Sequence, residues 1–199
     1  MWVVGSGATL GHIDPKFFDD KVCVCVNFAG TVLGLRDFFS VTHHHDDAQA
    51  VAETRPDCTV ITTEFEQVPS TDSTGVQATA SNILKVPTID QQYAAFDAEL
   101  HWPTEPDRFV IGPSSVTLAI HWAVYLGAKD IVLAGVDCGE LDRAARVADY
   151  PDGHLHYAIW ENALRSTAGK LRKDGVNVYS LNPFVTLALE GHTFYQPER

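Results

Sequence analysis

The sequence predicts an α/β protein, a single domain built as a doubly wound, mostly parallel sheet with helices on both faces. Three observations point that way. Asp130 to Val136 is an uninterrupted apolar run of strand length, rich in β-branched residues, as expected of a strand buried on both faces. The preceding stretch from Ser114 to Leu126 leaves almost no polar face, so its helix lies against a sheet rather than along the surface. Short apolar runs at Trp2 to Val4, Lys21 to Val26, Arg36 to Val41, Cys58 to Thr63 and Val176 to Leu181 are separated by turn-rich or helical segments.

The bulk composition bounds the function. A length of 199 residues suits one full-sized core, and 45% hydrophobic with 20% charged residues is ordinary for a soluble globular chain. No apolar run has the length of a membrane span, and Met1 to Val4 opens as a strand without a basic leader or cleavage site, which predicts a cytoplasmic protein. The net charge of −12 disfavours nucleic acid as a partner. Cys23, Cys25, Cys58 and Cys138 have no zinc-ribbon or C-x-x-C spacing, and Cys23 and Cys25 share one strand face as small core residues.

The first strand runs into Gly5-Ser6-Gly7-Ala8-Thr9, the outline of an anion site in which glycine amides approach a phosphate and Ser6 and Thr9 add hydroxyls. Leu10 stands where a dinucleotide fingerprint has its third glycine, and no G-K-[ST] follows. The second strand ends at Asn27, where a nicotinamide enzyme would carry an acid for the ribose; an uncharged amide there suits a base edge or ribose. Three consecutive histidines and two aspartates follow the third strand. Consecutive side chains cannot converge on one ion, so the preferred reading is one histidine, His43, facing a pocket, with Asp46 or Asp47 capping a helix over 48–53. Residues 64–84 read as an irregular lid, and a helix is expected within 90–100.

Gly112-Pro113 breaks the chain before the buried helix, and Ser114 or Ser115 caps it, with Thr117 in the first turn. Gly127 stops it. The following strand ends in Gly135 and Asp137, beyond the carboxyl end, where ligands of open parallel sheets sit. A second lid is expected over 140–157. It carries His154 and His156 just ahead of a helix from about Ile159 to Arg172, as candidate acid–base groups.

The motifs V-V-G-S-G-A-T-L (3–10), C-V-N-F-A-G (25–30), G-P-S-S-V-T (112–117), Y-L-G-A-K-D-I-V-L-A-G-V-D (125–137), H-Y (156–157) and V-Y-S-L-N-P (178–183) resemble the bacterial sialyltransferases with a Rossmann-like core. They also resemble a related superfamily that includes archaeal 6-hydroxymethyl-7,8-dihydropterin pyrophosphokinase. The resemblance implies a nucleotide-sugar donor, CMP- or another NDP-sugar, and a hydroxyl-bearing carbohydrate acceptor. Mg²⁺ is compatible but not required, no resident metal is assigned, and a homo-oligomer is compatible.

It implies Gly5, Ser6, Gly7 and Thr9 at the donor phosphate and Asn27 at the nucleotide. It also implies Ser114, Ser115 and Thr117 at a phosphate or carboxylate, and Gly135 with Asp137 beside base and ribose. His156 would deprotonate the acceptor, with His154 as substitute. The histidine that the sialyltransferases place after their H-Y pair corresponds to Trp160, and Cys138-Gly139-Glu140 replace their tyrosines after the G-V-D strand. The alternatives are a Mg²⁺-dependent pyrophosphokinase and a non-catalytic nucleotide-binding protein.

Overall fold

The structure is a computed structural model that describes residues 1–64, 77–90, 108–141, 144, 146 and 157–181. The strands are β1 (Trp2–Val4), β2 (Cys23–Val26), β3 (Phe39–Val41), β4 (Thr59–Thr63), β5 (Ile83–Val86), β6 (Thr88–Asp90), β7 (Phe109–Ile111), β8 (Asp130–Ala134) and β9 (Asn177–Ser180). The helices are α1 (Ala29–Val32), α2 (His45–Thr54), α3 (Ser115–Tyr125) and α4 (Tyr157–Lys173). Seven strands form one sheet in the order β5-β4-β3-β2-β1-β8-β9, and every neighbouring pair is parallel. This is the expected Rossmann-like, doubly wound arrangement. β6 and β7 form a separate parallel pair.

Side chains alternate between the faces of the sheet, and each face has its own core. Val3, Val24, Val26, Val41, Ile61, Ile131 and Leu133 pack with α3 and α4. Val4, Cys23, Cys25, Val60 and Ala134 pack with α1 and α2. The two strand cysteines are therefore small core residues, and burial pushes the Cys25 thiol well above its ordinary pKa. Both faces are covered, which is why these strands carry no polar alternation.

α3 begins as the hydroxyls predict. The Ser114 hydroxyl accepts from the Val116 amide at 3.2 Å, and Gly127 beyond the far end has φ +89. Inside α3, buried His121 accepts the Val110 amide at 2.9 Å, which ties the helix to β7. Burial holds that imidazole neutral, with its pKa pushed down to about 4.

α2 starts earlier than expected. Neither Asp46 nor Asp47 is its cap: His44 takes that position with extended backbone and no side-chain cap bond, and the two aspartates fall in the first turn. The cause is tertiary, because buried His45 bonds the Thr63 carbonyl across the sheet edge at 2.9 Å and draws position 45 into the helix. The expected 64–84 lid is also shortened, since Ile83 and Leu84 pair with Val60 and Ile61 in an edge strand. Ahead of it, the Asn82 amide donates to the carbonyls of Ala52, Arg55 and Cys58, fastening that stretch to the end of α2. Residues 65–76 of that lid and 91–100 of the expected helix lie outside the described residues, while Asp90 ends β6. Among the described residues no helix is long and apolar enough to cross a membrane.

Candidate functional site at the carboxyl edge of the sheet

In the sheet order, β1 lies between β2 and β8, so the chain leaves β1 towards one side and later returns on the other. The carboxyl ends of β1 and β8 thus border the topological switch point, where open α/β sheets take ligands. Their glycines serve an unexpected purpose. The Gly5 amide donates to the Ala134 carbonyl at 2.8 Å and the Gly7 amide to the Gly135 carbonyl at 2.7 Å. A Cβ at Gly5 would run into the Gly135 carbonyl, and one at Gly7 into the Asp137 side chain. Gly135 itself is left-handed at φ +64, with Leu10 packed where its side chain would be. Both glycine amides are therefore engaged by backbone carbonyls, and the glycines let two strand ends close on each other.

Asp137 locks that closure. Its carboxylate accepts the Thr9 amide at 2.8 Å and the Thr9 hydroxyl at 2.5 Å, joining residues that stand 128 apart in sequence. Burial raises the Asp137 pKa, opposed by the two Thr9 hydrogen bonds. Thr9 and Asp137 are thus partners of each other at the site's floor, while half-buried Ser6 lies between the two engaged glycines.

A second group forms over β3. The His43 Nδ1 and the Ser115 hydroxyl meet at 2.7 Å, both buried, at the first residue of α3. Burial, with a smaller contribution from the adjacent His44, pushes the His43 pKa down to about 3, so the imidazole is neutral at physiological pH. Thr117 is buried beneath the Gly112 turn, where a Cβ would lie 2.6 Å from its hydroxyl. The three histidines take different places: His43 meets Ser115, the His44 ring lies tilted beside His43 at 4.0 Å between ring centroids, and His45 bonds the Thr63 carbonyl. Among the described residues no group of three or more His, Cys, Asp or Glu is placed to hold a metal ion.

Between these groups lies Asn27. Its backbone is left-handed at φ +50, its amide donates to the Val41 carbonyl, and its carbonyl accepts the Ser40 hydroxyl. Past Val26 and Val41 the ladder carries on through the Asn27 amide to the Val41 carbonyl and the Thr42 amide to the Ile61 carbonyl. Among the described residues, Asn27 Oδ1, Thr62 Oγ1 and His45 Nδ1 are buried without a hydrogen-bond partner. Each such atom costs about 1–3 kcal/mol unless a ligand or water meets it.

Two participants were not anticipated from sequence in these positions. Arg146 forms an antiparallel bridge with Gly7, which lays its backbone across the end of β1. Its charge reaches Asp47 in the first turn of α2. Burial and Asp46 raise the Asp47 pKa, while His44 and Arg146 draw it back. Trp160 donates its indole N–H to the Pro113 carbonyl at 3.1 Å and so abuts the turn that starts α3. No sequence pattern signals either contact, since each spans the fold. His154 and His156 lie outside the described residues.

The structure therefore gathers Gly5, Gly7, Thr9, Gly135 and Asp137 at the β1/β8 ends and His43, Ser114, Ser115 and Thr117 at the β3/α3 junction. Adjacent parallel strands lie about 4.8 Å apart, so β1 and β3 are separated by roughly 10 Å. Comparisons with protein-family models, curated proteins and solved structures return no match.

Proposed function

We propose that this chain is a nucleotide-sugar-dependent glycosyltransferase of the sialyltransferase-like type, with its donor lying across the carboxyl edge from the β1/β8 switch point to the start of α3. The observation that carries the reading is the His43–Ser115 pair at 2.7 Å: it brings a neutral imidazole to the N-terminal end of an eleven-residue helix on the ligand-binding edge of a parallel sheet. The positive end of that helix favours an anionic group, and the uncharged amide of Asn27 suits a base or ribose.

In this reading the acceptor hydroxyl gives its proton to His156, and its oxygen forms a bond to the anomeric carbon. The bond from that carbon to the donor's phosphate oxygen breaks, and the nucleotide leaves with the electron pair.

The test is a thermal-shift panel of cytidine, uridine, guanosine and adenosine nucleotides, each with and without Mg²⁺. At a hundredfold excess over Kd, binding adds about 2.7 kcal/mol, a rise of roughly 5–10 °C for a domain of this size. A metal-independent shift with CMP, CDP, UDP or GDP supports glycosyl transfer. A shift confined to ATP or AMP with Mg²⁺ supports the pyrophosphokinase instead, although the engagement of Asp137 with Thr9 weighs against Asp137 as the metal's acid. Donor hydrolysis or transfer that is intact in both His156→Ala and His154→Ala would remove the histidines from the chemistry.

A further inference from the structure

His43 and Ser115 share one proton across 2.7 Å, and its owner decides what the far side of the imidazole offers. Ser115 is 3% exposed, and this contact is the one hydrogen bond of its hydroxyl among the described residues. Were Nδ1–H the donor in a neutral ring, the serine's own proton would be buried without an acceptor, which folded proteins avoid. A hydroxyl that donates to Nδ1 is satisfied instead, and the ring's N–H is then on Nε2.

Nε2 has no hydrogen bond among the described residues, yet it is not shut in as His45 Nδ1 is, and His43 keeps 8% of its surface open. His43 stands two residues beyond the carboxyl end of β3, on the edge where parallel sheets take ligands. Asn27 is the neighbour of this stretch across the ladder, at a spacing of about 4.8 Å between strands; its amide donates to the Val41 carbonyl and its Oδ1 is buried without a partner among the described residues. The ends of β2 and β3 therefore offer an uncharged donor and an uncharged acceptor. A sugar hydroxyl or a base carbonyl meets such a donor without a counter-charge. A phosphoryl oxygen there would stand near Asp46 and Asp47 in the first turn of α2, in a chain of net charge −12.

We propose that His43 binds the nucleoside part of the donor, its Nε2–H donating to an uncharged oxygen of the ribose or base, and that Ser115 is a positioning residue that holds the ring in this tautomer. The inference rests on the nucleotide reading for its ligand, while the tautomer stands without it. An oriented neutral donor discriminates by geometry, because a ligand without the matching oxygen leaves the N–H unpaired.

The first experiment is long-range proton–nitrogen NMR correlation on the full chain, which reads the tautomer of each imidazole, with His43 assigned from His43→Gln. The Nε2–H form is expected, and a neutral Nδ1–H form overturns the proposal. In Ser115→Ala both forms should appear; an unchanged Nε2–H form removes the positioning role of Ser115. The second is calorimetric titration with nucleosides, their 5′-monophosphates, ribose 5-phosphate and inorganic pyrophosphate, on variants each checked to be folded at the temperature used. His43→Asn keeps an oxygen for Ser115 but has no donor at the Nε2 position, so nucleoside and nucleotide binding should weaken about three- to tenfold with pyrophosphate unaffected. His43→Gln returns an N–H to that position and should recover most of the loss. A loss shared by ribose 5-phosphate puts the oxygen on the ribose, and one that needs the base puts it on the base. Undiminished nucleotide binding in His43→Asn, an equal loss in both variants, or a loss with pyrophosphate and none with nucleosides overturns the assignment and leaves the nucleotide reading standing. No binding of nucleosides or nucleotides by the unaltered protein overturns both.

Discussion

Replacing Gly7 by alanine separates two uses of a glycine. If Gly7 is there so that strand ends can close, the substitution damages the fold; if it is there for ligand approach, stability is untouched and only binding suffers. Its own backbone is extended, at φ −64 and ψ 155, so alanine introduces no dihedral strain. The effect is steric, because the new Cβ falls within the Asp137 side chain, 2.8 Å from its Cβ and closer still to the carboxyl group. Asp137 must move, which breaks its two bonds to Thr9.

Hydrogen bonds to a charged group contribute about 1.5–3 kcal/mol each, and overpacking about 1–3 kcal/mol. Release of a carboxylate that burial disfavours returns part of this, as its raised pKa indicates. The net is roughly 2–4 kcal/mol, a fall in Tm of about 5–15 °C for a chain of this length. Calorimetry on Gly7→Ala measures it, and Asp137→Gly supplies the control: with no side chain at 137 to meet, the second substitution should cost little, for a coupling of about 2 kcal/mol. A Tm within about 2 °C of the unaltered protein, or an undiminished cost in the Asp137→Gly background, refutes the steric account.

Three further outcomes follow from the same geometry. His43 should stay neutral in the folded protein to about pH 3, whereas in the unfolded chain it takes a proton near ~6.5; its contribution to stability is complete above ~6.5 and is lost as pH falls towards about 3, by up to ~1.4 kcal/mol per pH unit. His43→Gln should flatten that part of the stability–pH curve, and an NMR titration of the imidazole near its ordinary pKa would contradict the burial argument. Trp160→Phe removes the indole bond to Pro113 and should lower stability by about 0.5–1.5 kcal/mol in denaturant titrations; no change would mean that the contact contributes nothing net. Burial pushes the thiols of Cys23 and Cys58 to about 11 and of Cys138 to about 12, so a thiol reagent at neutral pH should label the folded chain slowly and all four cysteines on unfolding; rapid labelling of the native protein would count against this packing.

The local elements could be read from the chain because their causes are local. Ser114 caps α3 with its own hydroxyl, two residues from the amide it satisfies. Gly127 and Gly175 end their helices in left-handed backbone that other residues adopt at a cost. The run from Ile131 to Ala134 is apolar because both of its faces are covered. The expected positions 48–53 for α2 were too short because its start depends on His45 bonding a carbonyl eighteen residues away.

By itself, then, the sequence determined the α/β class, the strand and helix content of most described segments, and a set of Gly, Ser, Asn and His positions near strand ends. Only the tertiary structure decided what those positions do. Strand order is a matter of which β-runs pair, and the parallel pairing of β1 with β8 places Gly7 against Asp137 and turns two glycine amides towards backbone carbonyls. The same order sets α3 over β3, so that Ser115 reaches a histidine seventy-two residues earlier, and carries Arg146 back to the end of β1. Hydrophobic alternation along a strand specifies its buried faces but not its neighbour, and partners so distant in sequence meet only once the sheet has assembled.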